Sequence, residues 1–418
     1  MLAYACSPFR GSEPAIGWNR ALGVAEHCAT WVVCKQQDYQ ADVARYFQDH
    51  PRPASLSFHY LPLTRAEMLL RRLPGCWYLA YNLWHRRAFR LAAQLHAAVG
   101  FDLVHQVTLS GFREPGYLWK LGLPFAWGPV GGVQNYPWRF LPAAGLRGAL
   151  KEGARNVLNV AQFRLSPRVA AAARAARVLL SGNSTACRAF RSFHGVESAL
   201  MPNVGAPAPV RRPQPPGGPQ PPGGPQPPGG PVPLRLLWSG LLEPHKALHL
   251  LIEALAGLPQ DVEWRLRVLG EGSQRRRWQA LAARRSVAGR CEWPGWLPHE
   301  EALKQYEWAD LLVFTSLRDT CPSVVMEALS RGLPVLGLDH QGVGDVVTAD
   351  CGMKVPVSSP AQVVAGLRDG LELAARDPQL LGRLGEGALR RAKCFQWSRQ
   401  AQRIVELYRG AVGADAAR

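Results

Sequence analysis

The sequence predicts an α/β protein of two Rossmann-like domains whose parallel sheets face each other across a cleft. Its 418 residues are enough for two domains, each with a full core. Short apolar runs alternate with helical patterns in both halves, which implies parallel sheets with right-handed crossovers. Between the halves lies PQPPGGPQPPGGPQPPGGP, residues 213–231. Pro fixes φ and lacks a donor, and Gly–Gly adds chain entropy, so this tract cannot form a packed element. It reads as a repeat expansion in a surface linker, since nothing aromatic or charged varies within it for a Pro-binding partner to read. The expected divisions are a first domain at 1–206, the linker at 207–233, a second domain at 234–395, and a helix at 396–418.

Taken in order, 27–35 (HCATWVVCK), 101–109 (FDLVHQVTL) and 177–184 (RVLLSGNS) read as strands before the linker, with a helix over 86–99. After it, 234–240 (LRLLWSG), 264–270 (WRLRVLG), 309–316 (ADLLVFTS) and 333–339 (LPVLGLD) read as buried parallel strands. The most informative stretch is 315–327, TSLRDTCPSVVME. Pro322 and Ser323 supply a helix start, with Ser323 capping exposed amides, and Gly332 ends the helix. Asp319 therefore sits on the loop at the carboxyl end of a strand, and Glu327 about one turn into the next helix. Open α/β sheets take ligands at that edge, helix amino termini attract phosphate, and carboxylates accept hydrogen bonds from sugar hydroxyls. A nucleotide sugar fits such a socket.

Composition excludes several classes. No apolar run reaches 18 residues, so no transmembrane helix is expected. The N-terminus lacks a basic region followed by an apolar core, so no secretion signal is expected. Nine cysteines form no CxxC pair and read as reduced thiols of a cytoplasmic protein. The net charge of +18 is uneven: residues 1–205 carry 23 Lys/Arg against 10 Asp/Glu. Such a basic half points to an acidic surface or substrate.

Together the motifs resemble retaining glycosyltransferases of the family-4 type, which have the GT-B fold. There two Glu residues flank the strand-to-helix junction; here Asp319 takes the first place, with one methylene fewer, and Glu327 the second. Residues 11–18 (GSEPAIGW), 127–132 (WGPVGG), 201–205 (MPNVG), 238–255 (WSGLLEPHKALHLLIEAL) and 338–347 (LDHQGVGDVV) resemble further family segments in family order. The resemblance implies that the helix at 396–418 packs back on the first domain, and against such relatives the first strand begins abruptly, which points to a truncated or misassigned start.

The resemblance implies roles, and each has a structural alternative. Lys246, at the start of helix ALHLLIEAL, would meet diphosphate oxygens as a point charge; otherwise it is a solvated helix-start cation. Relatives carry an Arg five positions earlier, where this chain has Leu241. Gly270 and Gly272 match a GxG near the nucleotide, and otherwise make a tight turn. The segment WLPHEE, including Leu297, would recognise the base through its backbone, with His299 as a cap or surface residue. Glu327 would accept hydrogen bonds from the ribose, with Ser323 and Val324 beside it, and Asp319 would approach the sugar. For both acids the alternative is favourable helix-end electrostatics. The three arginines at 275–277 read as a solvated helix face.

In the first half, Gly11 and Gly17 bracket a loop where backbone amides could approach a ligand. Glu13 and Trp18 would touch ligand or anchor that loop. Trp18, Gly131 and Gly132 are assigned to the acceptor side. His105 would lie beside the donor sugar at the end of a buried strand, or be a satisfied core histidine. Residues 69–99 interleave arginines with Trp77, Tyr78, Tyr81, Trp84 and Phe89, as in a helix covering the first sheet, a lipid interface or a single-strand nucleic-acid surface.

The function expected is transfer of a sugar from a nucleotide donor to an acceptor hydroxyl, with retention, in glycan, polysaccharide or glycolipid synthesis. The second domain would hold the nucleotide and the first a glycan or lipid-linked acceptor. Neither a cofactor nor a metal is expected, the nucleotide sugar being a substrate. A cytoplasmic location is expected, with an anionic membrane face as a candidate partner and nucleic acid disfavoured. The alternatives are a nucleotide-sugar epimerase or hydrolase on the same fold, and a non-catalytic nucleotide-sugar or anionic-surface binder.

Overall fold

The computed structural model describes residues 1–210 and 232–416. The linker expected at 207–233 therefore falls, for 211–231, outside the described residues. The chain divides into two compact units: Met1–Gln134, Leu158–Val204 and Trp397–Arg418 form one, and Asn135–Val157 with Gly205–Gln396 form the other. Boundaries drawn along the chain differ chiefly at Asn135–Val157, which lies within 1–206 in sequence but groups with the second unit. Tyr136, Phe140 and Ala144 explain this, because they are buried in the same apolar cluster as Leu236, Trp238 and Leu248.

The first unit carries seven strands: β1 (Leu2–Ala3), β2 (Thr30–Lys35), β3 (Leu56–Leu61), β4 (Val104–Thr108), β5 (Phe125–Val130), β6 (Ala176–Ser181) and β7 (Ala199–Leu200). Their order is β3-β2-β1-β4-β5-β6-β7, and every pairing is parallel. β4 and β5 are buried at every residue, as expected of strands covered by helices on both faces. Trp127–Val130, read from sequence as loop, thus completes a central strand. The helix expected over 86–99 runs from Trp77 to Val99.

Helix Glu13–Ala25 lies on this sheet at very close range. A Cβ on Gly17 would stand 2.0 Å from the Ala5 carbonyl oxygen. Helix Trp397–Ala416 closes the unit: Ile404, Val405 and Tyr408 pack with Val24, Ala126 and Leu180. The buried Arg20 donates to the Pro202 carbonyl at 2.8 Å and to Gln400 Oε1 at 2.5 Å, with its guanidinium 5.0 Å from the Trp397 ring centre.

The second unit carries six parallel strands: β8 (Leu234–Ser239), β9 (Trp264–Leu269), β10 (Cys291–Gly295), β11 (Leu311–Phe314), β12 (Val335–Asp339) and β13 (Gly352–Pro356). Their order is β10-β9-β8-β11-β12-β13. The direction of winding reverses between β8 and β11, so the loops leaving these two strands flank the switch point where such sheets take ligands. The nine cysteines are free thiols, and Cys394 alone is exposed. Among the described residues no helix is long and apolar enough to cross a membrane.

Gly17 gives the packing a direct test. An exposed helical glycine such as Gly410, with nothing within 4 Å of a built Cβ, should gain about 0.5–1 kcal/mol on substitution by Ala. Gly17→Ala should lose about 1–3 kcal/mol instead, because the helix must move off β1. Urea unfolding of the two variants beside the parent protein should show opposite signs.

Candidate functional site

The second unit's switch point is built from loops that touch backbone to backbone. Thr315 Oγ1 donates to the Lys246 carbonyl at 2.8 Å, and Trp238 Nε1 donates to Thr315 Oγ1 at 3.0 Å. The Leu317 amide donates to the His245 carbonyl at 2.8 Å. The β8 loop is thereby fixed to the β11 loop, and two side chains meet there: Lys246 Nζ lies 2.5 Å from Asp319 Oδ2. Lys246 does not open the following helix as its sequence suggests. It closes a 3-10 turn, Pro244–Lys246, and buried Ala247 at φ 50° separates it from helix Leu248–Ala256. Lys246 is thus no solvated helix-start cation, since its side chain is only 16% exposed.

Asp319 is held from a third loop. Its amide donates to Gln341 Oε1 at 2.7 Å, and Gln341 Nε2 donates to the Asn135 carbonyl at 3.0 Å. Next to Gln341, a Cβ on Gly342 would stand 1.9 Å from the Thr320 carbonyl oxygen. The 338–347 segment therefore lies directly on the Asp319 loop. Glu327 is the fifth residue of helix Ser323–Ser330. Half-buried, it accepts a hydrogen bond from Tyr306 Oη at 2.9 Å. Burial, then the Glu327 charge, pushes the Tyr306 phenol well above its ordinary pKa, so it stays a donor. Pro322, not Ser323, occupies the N-cap position, and no side chain caps this helix. Ser323 is exposed and Val324 half-buried. Proline has no side-chain acceptor to offer the first amides, which leaves the turn suited to an anion.

Cations surround these loops beyond Lys246. The His245 imidazole is pushed down to about 3, by burial first and then by Arg318, Lys246, Arg155 and Lys151. Arg318 stands between Leu317, bonded to His245, and Asp319, bonded to Lys246. Its Nη2 donates to Glu152 Oε1 at 3.1 Å, and Arg318 Nε and Glu152 Oε2 are buried without a hydrogen-bond partner among the described residues. Leu241, in the place where an arginine was expected by resemblance, is 62% exposed. Sequence reading missed Arg318, although it adjoins Asp319 inside the informative segment. It missed Lys151 and Arg155 because they sit in Asn135–Val157, counted with the other domain.

Several assigned residues serve packing. A Cβ on Gly270 would stand 2.0 Å from the Gly240 carbonyl oxygen, and one on Gly272 2.5 Å from that of Leu242, so both glycines let the β8 and β9 loops cross. Leu297 is half-buried and His299 is exposed at the first position of helix His299–Trp308. The arginine run is not uniformly solvated: Arg275 is half-buried and donates to the Trp293 carbonyl at 2.9 Å.

In the first unit the corrections are larger. Trp18 is 4% exposed and stacks on Phe58 at 6.0 Å, so it is a core residue of the first unit and not an exposed contact surface. Gly17 lies inside a helix, not at a loop edge. Gly11 is exposed. Glu13 anchors the neighbouring loop, accepting from the Ser110 amide and hydroxyl at 3.1 Å, and burial raises its pKa. Gly131 donates to the Ser110 carbonyl at 2.6 Å, and the Gly132 amide donates to Gln134 Oε1 at 2.9 Å. His105 is the second residue of β4 rather than its end. Its Nε2 donates to the Gly128 carbonyl at 2.7 Å and its Nδ1 accepts from the Tyr408 hydroxyl. It is the satisfied core histidine, and burial pushes it down to about 3.

The pKa of His105 fixes the sign of a pH effect. The folded imidazole stays neutral to about 3, while the unfolded one gains its proton near 6.5. Between these values the unfolded chain binds more protons, so stability is full above pH 6.5 and falls as pH drops below it. Each such histidine costs up to about 1.4 kcal/mol per pH unit. Urea midpoints at pH 7.5, 6 and 5 should fall in the parent protein and fall less in His105→Gln; parallel curves would sink this account.

Comparison with known proteins bears on the second unit first. Residues 233–389 match the family model of glycosyl transferases group 1. The putative colanic acid biosynthesis glycosyltransferase WcaL of Salmonella typhimurium is 31% identical over 146 residues, 33% of this chain and 36% of that protein. A D-inositol 3-phosphate glycosyltransferase of Streptomyces bingchenggensis is 31% identical over 183 residues, 41% of this chain and 39% of that protein. The chain thus matches little more than a third of these relatives' length. Over 97% of this chain and 94% of the other, the fold matches sucrose-phosphate synthase from Thermosynechococcus elongatus, with TM-score 0.62 and 17% identity. Anabaena HepE in complex with UDP and glucose matches at TM-score 0.57 and 14% identity, over 97% and 98% of the two chains. The fold is that of GT-B glycosyltransferases.

Proposed function

From a second unit that matches glycosyl transferases group 1, we propose that this protein transfers a sugar from a nucleoside diphosphate donor to an acceptor hydroxyl, with retention. The observation that carries the reading is the Lys246–Asp319 pair at the β8/β11 switch point, set among Arg318, Arg155 and Lys151. A diphosphate entering there would compete with Asp319 for the Lys246 ammonium and release the carboxylate toward sugar hydroxyls. Glu327, oriented by Tyr306, would accept from the ribose. Charge building on the leaving diphosphate would be met by Lys246, Arg318 and the uncapped amides of helix Ser323–Ser330, so the reading calls on no metal or cofactor. No side chain is assigned as nucleophile. HepE, of the same fold, is a complex with UDP and glucose, which makes UDP the first nucleotide to test. Among the relatives' names, colanic acid biosynthesis points to a polysaccharide acceptor and D-inositol 3-phosphate to a small phosphorylated one, and we take the polysaccharide or lipid-linked acceptor, reached from the cytoplasm, as the first to test.

Thermal shift with UDP, GDP, ADP and their sugar conjugates tests the donor site. A nucleotide at a hundredfold excess over its dissociation constant adds about 2.7 kcal/mol of apparent stability. One base should raise Tm, and Glu327→Ala and Lys246→Ala should each abolish the rise while remaining folded. If no nucleotide moves the parent protein, the transferase reading fails and a degenerate binder takes its place. Arg318 has its own signature. Arg318→Gln should weaken nucleoside diphosphate binding about tenfold, leave nucleoside binding intact, and be rescued by adding Leu241→Arg. Calorimetric titration would decide, and an unchanged diphosphate affinity would return Arg318 to a purely structural role.

A further inference from the structure

Three consecutive residues after β12 grip the loop that carries Asp319. The His340 ring hydrogen-bonds the Leu317 carbonyl, Gln341 takes the Asp319 amide, and Gly342 lies so close to the Thr320 carbonyl that no side chain fits between them. The middle residue stands apart from its neighbours. Gln341 is buried and has φ 51°, a left-handed conformation that suits glycine or asparagine and costs energy for a longer side chain. A residue held against its backbone preference points to a task for its side chain.

That side chain is a strut with both ends fixed. Its Oε1 accepts from the Asp319 amide at 2.7 Å, and its Nε2 donates to the Asn135 carbonyl at 3.0 Å. Asn135 adjoins a fixed point of the second unit. Tyr136 is fully buried, its amide donates to Asn156 Oδ1 at 2.9 Å, and its carbonyl accepts from Asn156 Nδ2 at 2.7 Å. The Asp319 backbone is therefore placed from outside its own loop. Aspartate makes that placement matter. Its carboxylate stands one carbon–carbon bond, about 1.5 Å, nearer the backbone than that of glutamate, the residue that the resemblance puts here. A short arm cannot make up for a loop that withdraws, and a hydrogen bond does not survive a displacement of that size.

We propose that Gln341 is the positioning residue for the donor sugar: its length fixes how far the short Asp319 arm reaches, so that the two residues act as a matched pair. This role follows from the donor-site reading above and concerns only the sugar end of the donor. When a diphosphate draws Lys246 away from Asp319, the carboxylate turns on a backbone that stays where Gln341 holds it, and meets the sugar hydroxyls. The nucleotide, bound through Lys246, Arg318 and Glu327, does not depend on Gln341.

Calorimetric titration of the full chain with UDP and with UDP-glucose tests it. The parent protein should bind UDP-glucose more tightly than UDP. Gln341→Asn is a methylene too short to bridge, and Gln341→Gly removes the strut altogether. Each should weaken UDP-glucose binding about tenfold and leave UDP binding unchanged. Asp319→Glu alone should also weaken UDP-glucose, since the longer arm overshoots on a loop that is held. Combined with Gln341→Gly it should recover most of the lost affinity, a coupling that independent sites do not show. Asparagine and glycine both suit the backbone at 341, and a circular dichroism melt confirms that each variant is folded. Equal losses for UDP and UDP-glucose would make Gln341 a structural brace and overturn the proposal. So would an unaltered preference for UDP-glucose, or a double variant no better than Gln341→Gly. A parent protein that binds neither ligand fails earlier, at the donor-site reading, and takes the proposal with it.

Discussion

Three loops of the second unit approach one another at distances that admit no side chain. A Cβ at Gly270, Gly272 or Gly342 would fall 1.9–2.5 Å from a carbonyl oxygen of the neighbouring loop. With the Leu317 amide on His245 and the Thr315 hydroxyl on Lys246, these contacts turn segments scattered over a hundred residues of sequence into one rigid rim. Everything assigned to the site hangs on that rim. Lys246 reaches Asp319 because their loops are bonded, and Asp319 is presented because Gln341 holds its amide. A site of this kind is positioned by backbone, so its side chains can be few.

Charge is the second constraint. Burial first, and then the concentration of Arg318, Lys246, Arg155 and Lys151 around the imidazole, keeps His245 neutral, and Glu152 and Asp319 offset only part of that charge. Clusters of like charge are held together at a cost to stability, and functional sites are where such costs concentrate. The orphaned Arg318 Nε belongs to the same pattern, since a buried donor without an acceptor is expensive in a closed protein and useful where an anion binds.

The first unit shows how a motif can be read correctly as to place and wrongly as to role. Its β4 strand lies in the sheet as the apolar run FDLVHQVTL suggests, yet His105 within it faces Tyr408, about three hundred residues on. No local signal marks that partner. Trp18 and Gly17 likewise sit in the expected glycine-rich segment, but the segment continues as a helix, and helical periodicity sends both residues inward. Arg20, three residues after Gly17, turns to the C-terminal helix for Gln400.

Periodicity and punctuation determined the strands β2, β4, β6, β8, β9, β11 and β12: continuous apolar runs of four to six residues are satisfied inside a covered parallel sheet. The junction of strand, Asp319, Pro322 and Glu327 was equally local, because a strand end, a helix start and an acid spacing all lie within one short stretch of chain. Tertiary structure decided what depends on distant partners. It moved Asn135–Val157 into the second unit, because Tyr136 and Phe140 are buried there. It gathered Arg318, Arg155 and Lys151 around His245 from separate stretches of the chain, and retired His105 to the core. It also separated the buried rings of Tyr81 and Trp84 from the exposed Leu69, Leu73 and Leu79. Sequence fixes the pattern of each element, but which face meets which neighbour is set by packing, and packing is a property of the whole chain.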